Sequence, residues 1–247
     1  MTLAGKTAVV TGAAGNIGMA VVRALLEEGL QVALVDIDAM RLDSLVRFLR
    51  GHTLAVSCDV GDAGSVAQAF AQVEKVLGPV EVLVNAASQS TLERAENTGE
   101  ADWRRVMAAN LDGAFYWSRA VIPGMKKRGW GRIVNVASLA GKTGGAEGAG
   151  AAYATAKGAL AALTFALARE TAPHGITVNA VAPAFVKAPG AIDELNEAQR
   201  RQLLAQIPVG RFCEPEELGH AIRFFVSPLA GFVTGEVLDV NGGLHMD

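Results

Sequence analysis

The sequence predicts an α/β fold, a doubly wound parallel sheet of about seven strands with helices on both faces, and three observations carry that prediction. Short apolar runs alternate with helical patterns along most of the chain, glycines stand where helices should stop, and a glycine-rich turn follows the first apolar run directly. With 247 residues, 51% of them hydrophobic, the chain is long enough to bury one large core, and α/β folds of this length form single domains. No repeat or low-complexity linker divides it, so residues 1–247 are expected to form one domain.

The apolar runs are Lys6–Thr11, Gln31–Asp36, Thr53–Val56, Val80–Asn85, Arg132–Ser138, Ile176–Val181 and Glu236–Val240. Their nearly continuous apolar character suits parallel strands covered on both faces. The intervals between them are periodic or Ala-rich, and Gly29, Gly78 and Gly175 close three of them, as glycine does after a helix C-terminus. Lys126-Lys127-Arg128 marks a further helix end, where cations complement the dipole. The Gly-rich patch Gly141–Gly150 reads as a mobile loop.

The first strand ends in Thr11-Gly-Ala-Ala-Gly-Asn-Ile-Gly18, and a helix opens at once. Glycines there let the backbone approach a pyrophosphate, whose charge is held by the amides and dipole of the helix N-terminus. The second strand ends in Asp36, about 20 residues beyond the turn, where a carboxylate can accept the ribose hydroxyls of an adenosine. That carboxylate would repel the 2′-phosphate of NADP, and neither Gly15 nor Ile37 offers a cation in compensation, so the cofactor expected is NAD. Asp59 and Val60 after the third run, and Asn85-Ala86-Ala87 after the fourth, stand at the same edge; helix capping by Asp59 and a turn at Asn85 are the structural alternatives.

Tyr153 and Lys157 stand four apart at the start of a run, Ala151–Ala172, that reads as a helix, so ammonium and phenol share a face. A cation beside a phenol favours the phenolate and is expected to lower a pKa ordinarily near 10. Such a hydroxyl can exchange a proton with an alcohol or carbonyl. Ser138 closes the fifth run and should emerge at its C-terminal edge, where open α/β sheets bind ligands.

Composition narrows the function classes. Net charge is −3 and the basic residues are scattered, which argues against nucleic acid and anionic membranes as partners. Cys58 and Cys213 are far apart, and the four histidines do not cluster, so neither a zinc nor a redox site is expected and a reduced, cytoplasmic setting is the simplest reading. The N-terminus runs straight into a strand without a signal-peptide pattern, and no apolar run approaches the ~20 residues of a membrane span.

Taken together and in order, these features resemble the short-chain dehydrogenase/reductase family over almost the whole chain: the Thr11–Gly18 turn, Asp36, Asp59, Asn85-Ala-Ala87, Asn110 within Asn-Leu-Asp-Gly113, Ser138, Tyr153 with Lys157, Asn179-Ala-Val-Ala-Pro183, Thr234-Gly235 and Asn241-Gly-Gly243. The resemblance implies a Rossmann-type NAD(P)-binding domain with a substrate lid around 185–207. It implies that Tyr153 is the acid/base, that Lys157 tunes the tyrosine and binds the nicotinamide ribose, and that Ser138 orients the substrate oxygen. Asn110 would kink a central helix and hold a water in the proton relay. Gly12, Asn16, Ile17, Gly18, Asp36, Ile37, Asp59, Val60, Asn85, Ala86, Ala87, Tyr153, Lys157, Pro183 and Val186 would contact the cofactor.

Three features depart from the family pattern. Asn16 replaces the second glycine of the short-form turn, leaving the Gly12-x-x-Gly15-x-x-Gly18 spacing of the epimerase-like branch; Asn tolerates left-handed backbone better than most residues. Pro183-Ala184 and Ala188 replace a Pro-Gly and a carboxamide-binding threonine, which shifts nicotinamide contacts to backbone near Val186. The Ser138–Tyr153 interval is about two residues longer than is usual for the family, with the excess in Gly144–Gly150.

The reading that results is an NAD-dependent alcohol dehydrogenase or ketone reductase acting on a small-molecule alcohol or ketone. Phe185, Ala188, Ile192 and Leu195 suggest a partly apolar pocket, with Glu147 a solvated loop residue. A 3-oxoacyl-thioester (acyl-carrier-protein) reductase is the alternative; Asp36 argues against its usual NADPH, and Gly129 and His174 stand where a carrier would favour arginine. A non-catalytic NAD-sensing protein would have no use for a tuned phenol. An epimerase or dehydratase would need a C-terminal sugar-binding extension. The small apolar run Ala159–Ala168 is expected to be buried on both sides, and with the apolar edge of the last strand it suggests a homotetramer or homodimer.

Overall fold

The structure, a computed structural model, describes residues 2–145, 149–188 and 196–246. Seven parallel strands, β1 (Thr7–Thr11), β2 (Gln31–Asp36), β3 (Thr53–Ser57), β4 (Val80–Asn85), β5 (Gly131–Val136), β6 (Ile176–Pro183) and β7 (Val237–Val240), form one sheet in the order β3-β2-β1-β4-β5-β6-β7. The chain reverses direction across the sheet between β1 and β4, so the crevice above their C-terminal ends is the place where such a fold takes a ligand.

Helices cover both faces: α1 (Asn16–Glu27), α2 (Ala39–Phe48), α3 (Ala63–Leu77), α4 (Glu100–Met107), α5 (Gly113–Arg128), α6 (Ala140–Thr143), α7 (Ala151–Thr171), α8 (Glu197–Leu204) and α9 (Pro215–Val226). One core, including Val10, Leu34, Val84 and Phe225, lies under α1 and α9; the other, including Val9, Leu83, Trp117 and Ile133, lies under α3 and α5. Neighbouring residues Val9 and Val10 feed opposite cores, which is the two-residue strand period at work. Gly29, Gly78 and Gly175 adopt positive φ at the ends of helical segments, as their positions predict, and Lys126-Lys127-Arg128 fills the last turn of α5.

Several boundaries differ from expectation. β5 stops at Val136, so Ser138 sits two residues beyond the strand, although Ala137 and Leu139 still donate to the Val181 and Pro183 carbonyls of β6. β6 runs on to Pro183, and β3 takes in Ser57. Within the Gly-rich patch, Ala140–Thr143 coil into α6; Glu147 lies outside the described residues, as do Ile192 and Leu195.

α7 departs from expectation in two ways. Leu160, Thr164, Leu167 and Ala168 pack inward, whereas Phe165 on the opposite face is 52% exposed, so one side of this helix is uncovered in a single chain. With the turn that follows it, the stretch Ala151–His174 is also long and apolar enough to cross a membrane by length and composition, contrary to the expectation that no run approaches that length. It packs on the sheet and carries Lys157 in its buried face.

Candidate active site

The exits of β1, β4, β5 and β6 converge on one cleft of about 480 Å³, walled by Gly12, Asn16, Ile17, Gly18, Asp36, Ala86, Ser138, Tyr153, Lys157, Pro183 and Val186 among others. An adjoining cavity of about 390 Å³ shares Gly12 and Asp36 with it and adds Ile37, Asp59, Val60 and Ala87. The expected contacts thus fall into two connected hollows, one on each side of the β2 exit.

The glycine turn shows why glycine is required. Gly12 has φ +64°, and a Cβ there would lie 2.6 Å from Ala87 Cα; at Gly18 a Cβ would lie 2.1 Å from the Gly12 carbonyl oxygen. No side chain fits between backbones this close. The turn is tied to its neighbours by Thr11, whose Oγ1 accepts from the N–H groups of Ala86 (3.1 Å) and Ala87 (3.2 Å). Asp36 accepts from the N–H of Ala14 (3.0 Å) with one carboxylate oxygen and from that of Asp38 (3.1 Å) with the other. Each oxygen keeps a further lone pair for a ligand hydroxyl. These features fit a dinucleotide: a helix N-terminus without side chains in the way, and an anchored carboxylate at the next strand exit.

Asn16 donates from its side-chain amide to the Lys187 carbonyl, and the Lys187 ammonium pairs with Glu214. The residue that departs from the glycine pattern therefore ties the turn to the segment leaving β6. That segment is also clasped to the α9 side by N–H donation from Lys187 to the Cys213 carbonyl and from Cys213 to the Phe185 carbonyl. Phe185 packs edge-on against Phe212, with ring centroids 6.3 Å apart, while Ala188 lines the cleft.

Tyr153 and Lys157 lie side by side, the Lys157 Nζ being 5.6 Å from the tyrosine ring centroid. The electrostatics differ from expectation. Burial raises the Tyr153 phenol above its ordinary value of 10.0, and the opposing influences are hydrogen bonding to Ser138 and to Ser88, not the ammonium. Lys157 itself is 2% exposed, and desolvation pushes its pKa down from 10.5 to about 7. Its Nζ donates to the carbonyl of Val136, the last residue of β5, at 2.7 Å. In the free protein the cation expected to acidify the phenol is thus itself poorly solvated.

Asn110 lies in a π-helical turn, Ala108–Asp112, between α4 and α5, so the helix is distorted where the family resemblance implies a kink. It is 1% exposed and donates through Nδ2 to the carbonyls of Gln89 (2.6 Å) and Val106 (2.8 Å). Its Oδ1 accepts from Ser88 Oγ at 2.8 Å.

One expected contact and one structural alternative are not realised. Asn85 does not reach either hollow: its side chain is buried and donates to Asn135 Oδ1 at 2.8 Å, and Asn135 Nδ2 in turn donates to Thr164 Oγ1 at 2.9 Å, a polar chain from the sheet into α7. A buried amide must find a partner, and the facing strand offers one. Asp59 does not cap α3. Asp62 does so through the N–H of Ser65, while Asp59 Oδ1 accepts from the N–H of Gly61 at 2.9 Å.

Ser88, Ser90 and Lys187 in the cleft, and Gln89 and Arg105 in the adjoining cavity, were missed from the sequence. The signal available for Ser88 was a hydroxyl one residue past the Asn85-Ala-Ala turn. Nothing in the sequence singled out Arg105, which donates to Gln89 and Asp102.

Residues 12–245 match a family model described as Enoyl-(Acyl carrier protein) reductase. The chain is 40% identical over 246 residues to galactitol 2-dehydrogenase (L-tagatose-forming) of Cereibacter sphaeroides, covering 98% of this chain and 95% of the relative. It is 37% identical over 246 residues to a 3-oxoacyl-(acyl-carrier-protein) reductase of Vibrio cholerae, covering 100% of both. It is also 37% identical over 248 residues to the short-chain reductase protein NovJ of Streptomyces niveus, covering 96% and 93%. With these matches spanning the glycine turn, the Tyr153–Lys157 pair and the segment after β6, the chain belongs to the short-chain dehydrogenase/reductase family of oxidoreductases.

Proposed function

We propose that the protein is an NAD-dependent oxidoreductase interconverting a secondary alcohol and a ketone, with Tyr153 exchanging the proton at the substrate oxygen. The observation that carries this reading is the convergence of Ser138, Tyr153 and Lys157, from two separate elements, on the cleft whose opposite wall is the glycine turn and Asp36. When bound, the nicotinamide supplies hydride exchange with the substrate carbon. Tyr153 gives a proton to the nascent alkoxide in reduction and takes one from the alcohol in oxidation. Ser138 donates a hydrogen bond to the same oxygen and holds it at the phenol. Lys157 binds ribose hydroxyls, and those replace part of the solvation that burial removes. Asn110 supports the relay from within the π turn.

NAD is favoured over NADP because the Asp36 carboxylate, fixed by two backbone N–H groups at the exit of β2, would hold ribose hydroxyls and would repel a 2′-phosphate. Arg105 lines the neighbouring cavity, but its guanidinium is engaged by Asp102 and Gln89. The serine-rich wall of the cleft, Ser88, Ser90 and Ser138, favours a hydroxylated substrate, in keeping with the galactitol dehydrogenase relative. A 3-oxoacyl-thioester reductase is the second reading, supported by the full-length relative of that name.

The test is a screen of NAD and NADP with polyols, simple secondary alcohols and 3-oxoacyl thioesters, read by nicotinamide absorbance. Turnover of a secondary alcohol or ketone with NAD preferred is expected, and Asp36→Ala should move preference toward NADP. A wild-type preference for NADP would overturn the Asp36 argument, and turnover of the thioesters alone would establish the second reading.

A further inference from the structure

Ser88 is held in place from both sides. The preceding residues Ala86 and Ala87 are pinned by Thr11 Oγ1, and the Ser88 hydroxyl donates to Asn110 Oδ1 at 2.8 Å while facing the same cleft as Tyr153 and Ser138. Asn110 cannot move to follow it, because both of its amide hydrogens are spent on the carbonyls of Gln89 and Val106. A hydroxyl has one hydrogen to give and two lone pairs to offer. With its hydrogen on Asn110, Ser88 presents only an acceptor to the phenol, which suits a protonated Tyr153.

A phenolate needs the reverse polarity. Lys157 is the charged group set beside the Tyr153 ring, and its Nζ already donates to Val136. Among the described residues, what reaches the phenol from the other elements is uncharged, Ser138 from the β5 exit and Ser88 from the β4 exit, and the further charged residues lining this cleft are Asp36 and Lys187. In the free protein two hydroxyls therefore carry much of the solvation of the ionised tyrosine, and Ser88, outside the set that the sequence marked, keeps that part when Ser138 turns to the substrate oxygen.

We propose that Ser88 is a positioning residue for Tyr153, whose hydroxyl turns its hydrogen from Asn110 Oδ1 to the tyrosine oxygen whenever that oxygen is ionised. No covalent bond at Ser88 is made or broken; a hydrogen bond changes partner, and the proton that leaves or returns is the tyrosine's own. The proposal rests on the reading of Tyr153 as acid/base, but its test does not depend on turnover. The chain has two tyrosines, Tyr116 and Tyr153, so in a Tyr116→Phe background the pH titration of tyrosinate absorbance reports Tyr153 alone.

In that background Ser88→Ala should move the transition upward by about one pH unit or more, the size expected for a lost hydrogen bond to a charged group. Ser88→Thr, which restores the hydroxyl, should return it toward the parent, and both variants should keep the parent circular dichroism spectrum and NAD affinity. An unchanged transition in Ser88→Ala overturns the proposal, as does a loss of NAD affinity matching the shift, which would make Ser88 a cofactor contact. If the absorbance transition moves while the pH profile of kcat does not, Ser88 tunes the phenol as proposed and the acid/base reading of Tyr153 fails instead.

Discussion

Lys157 is a cation that the fold buries at a cost. An ammonium pressed from 10.5 to about 7 binds fewer protons in the folded than in the unfolded chain across that interval, so stability should rise with pH from about 7 to 10.5 and carry its full penalty below. Lys157→Met should abolish this slope and stabilise the free protein below neutrality by on the order of a few kcal/mol. Thermal unfolding as a function of pH checks this; a parallel profile in wild type and variant would contradict it. The expectation that Lys157 acidifies Tyr153 rested on an i, i+4 spacing, which the structure realises in the side-by-side geometry. Sequence could not show how thoroughly both groups are desolvated, because burial is set by β4, β5 and the π turn, all remote in the chain. The same holds for Asn85, whose partner Asn135 is 50 residues away.

At the scale of elements, the junctions between β1, α1, β4 and the π turn hold the site. Gly18→Ala would place a Cβ 2.1 Å from the Gly12 carbonyl, so the turn must open; NAD binding should be lost and the thermal midpoint lowered. Asn110→Ala leaves the Val106 carbonyl without its side-chain donor in the π turn and should cost about 1–3 kcal/mol of stability. Chemical denaturation measures both, and a Gly18→Ala variant with undiminished NAD affinity would contradict the close-packed turn. The strand runs and the glycine stops were readable because they depend on local periodicity and backbone freedom. The end of β5 was not, since its pairing with β4 runs out at Asn85–Asn135, a neighbour 50 residues away in the chain.

For the whole molecule, the uncovered faces matter. Phe165 on α7 and Phe115 on α5 are 52% and 41% exposed, and Leu229 and Phe232 beyond α9 are fully exposed. Large aromatics left in water on long helices favour self-association, and a homodimer or homotetramer is proposed on that basis. Phe165→Asp should lower the mass measured by light scattering toward the 25.6 kDa of one chain, and a wild-type protein already at that mass would refute the proposal.

The account depends above all on one phenol moving a proton at the substrate oxygen beside the dinucleotide turn. Steady-state turnover of Tyr153→Phe, paired with an NAD titration of the same variant, tests it most directly. A fall in kcat of about 10²-fold or more with NAD affinity unchanged is the predicted result. Turnover equal to wild type would contradict it.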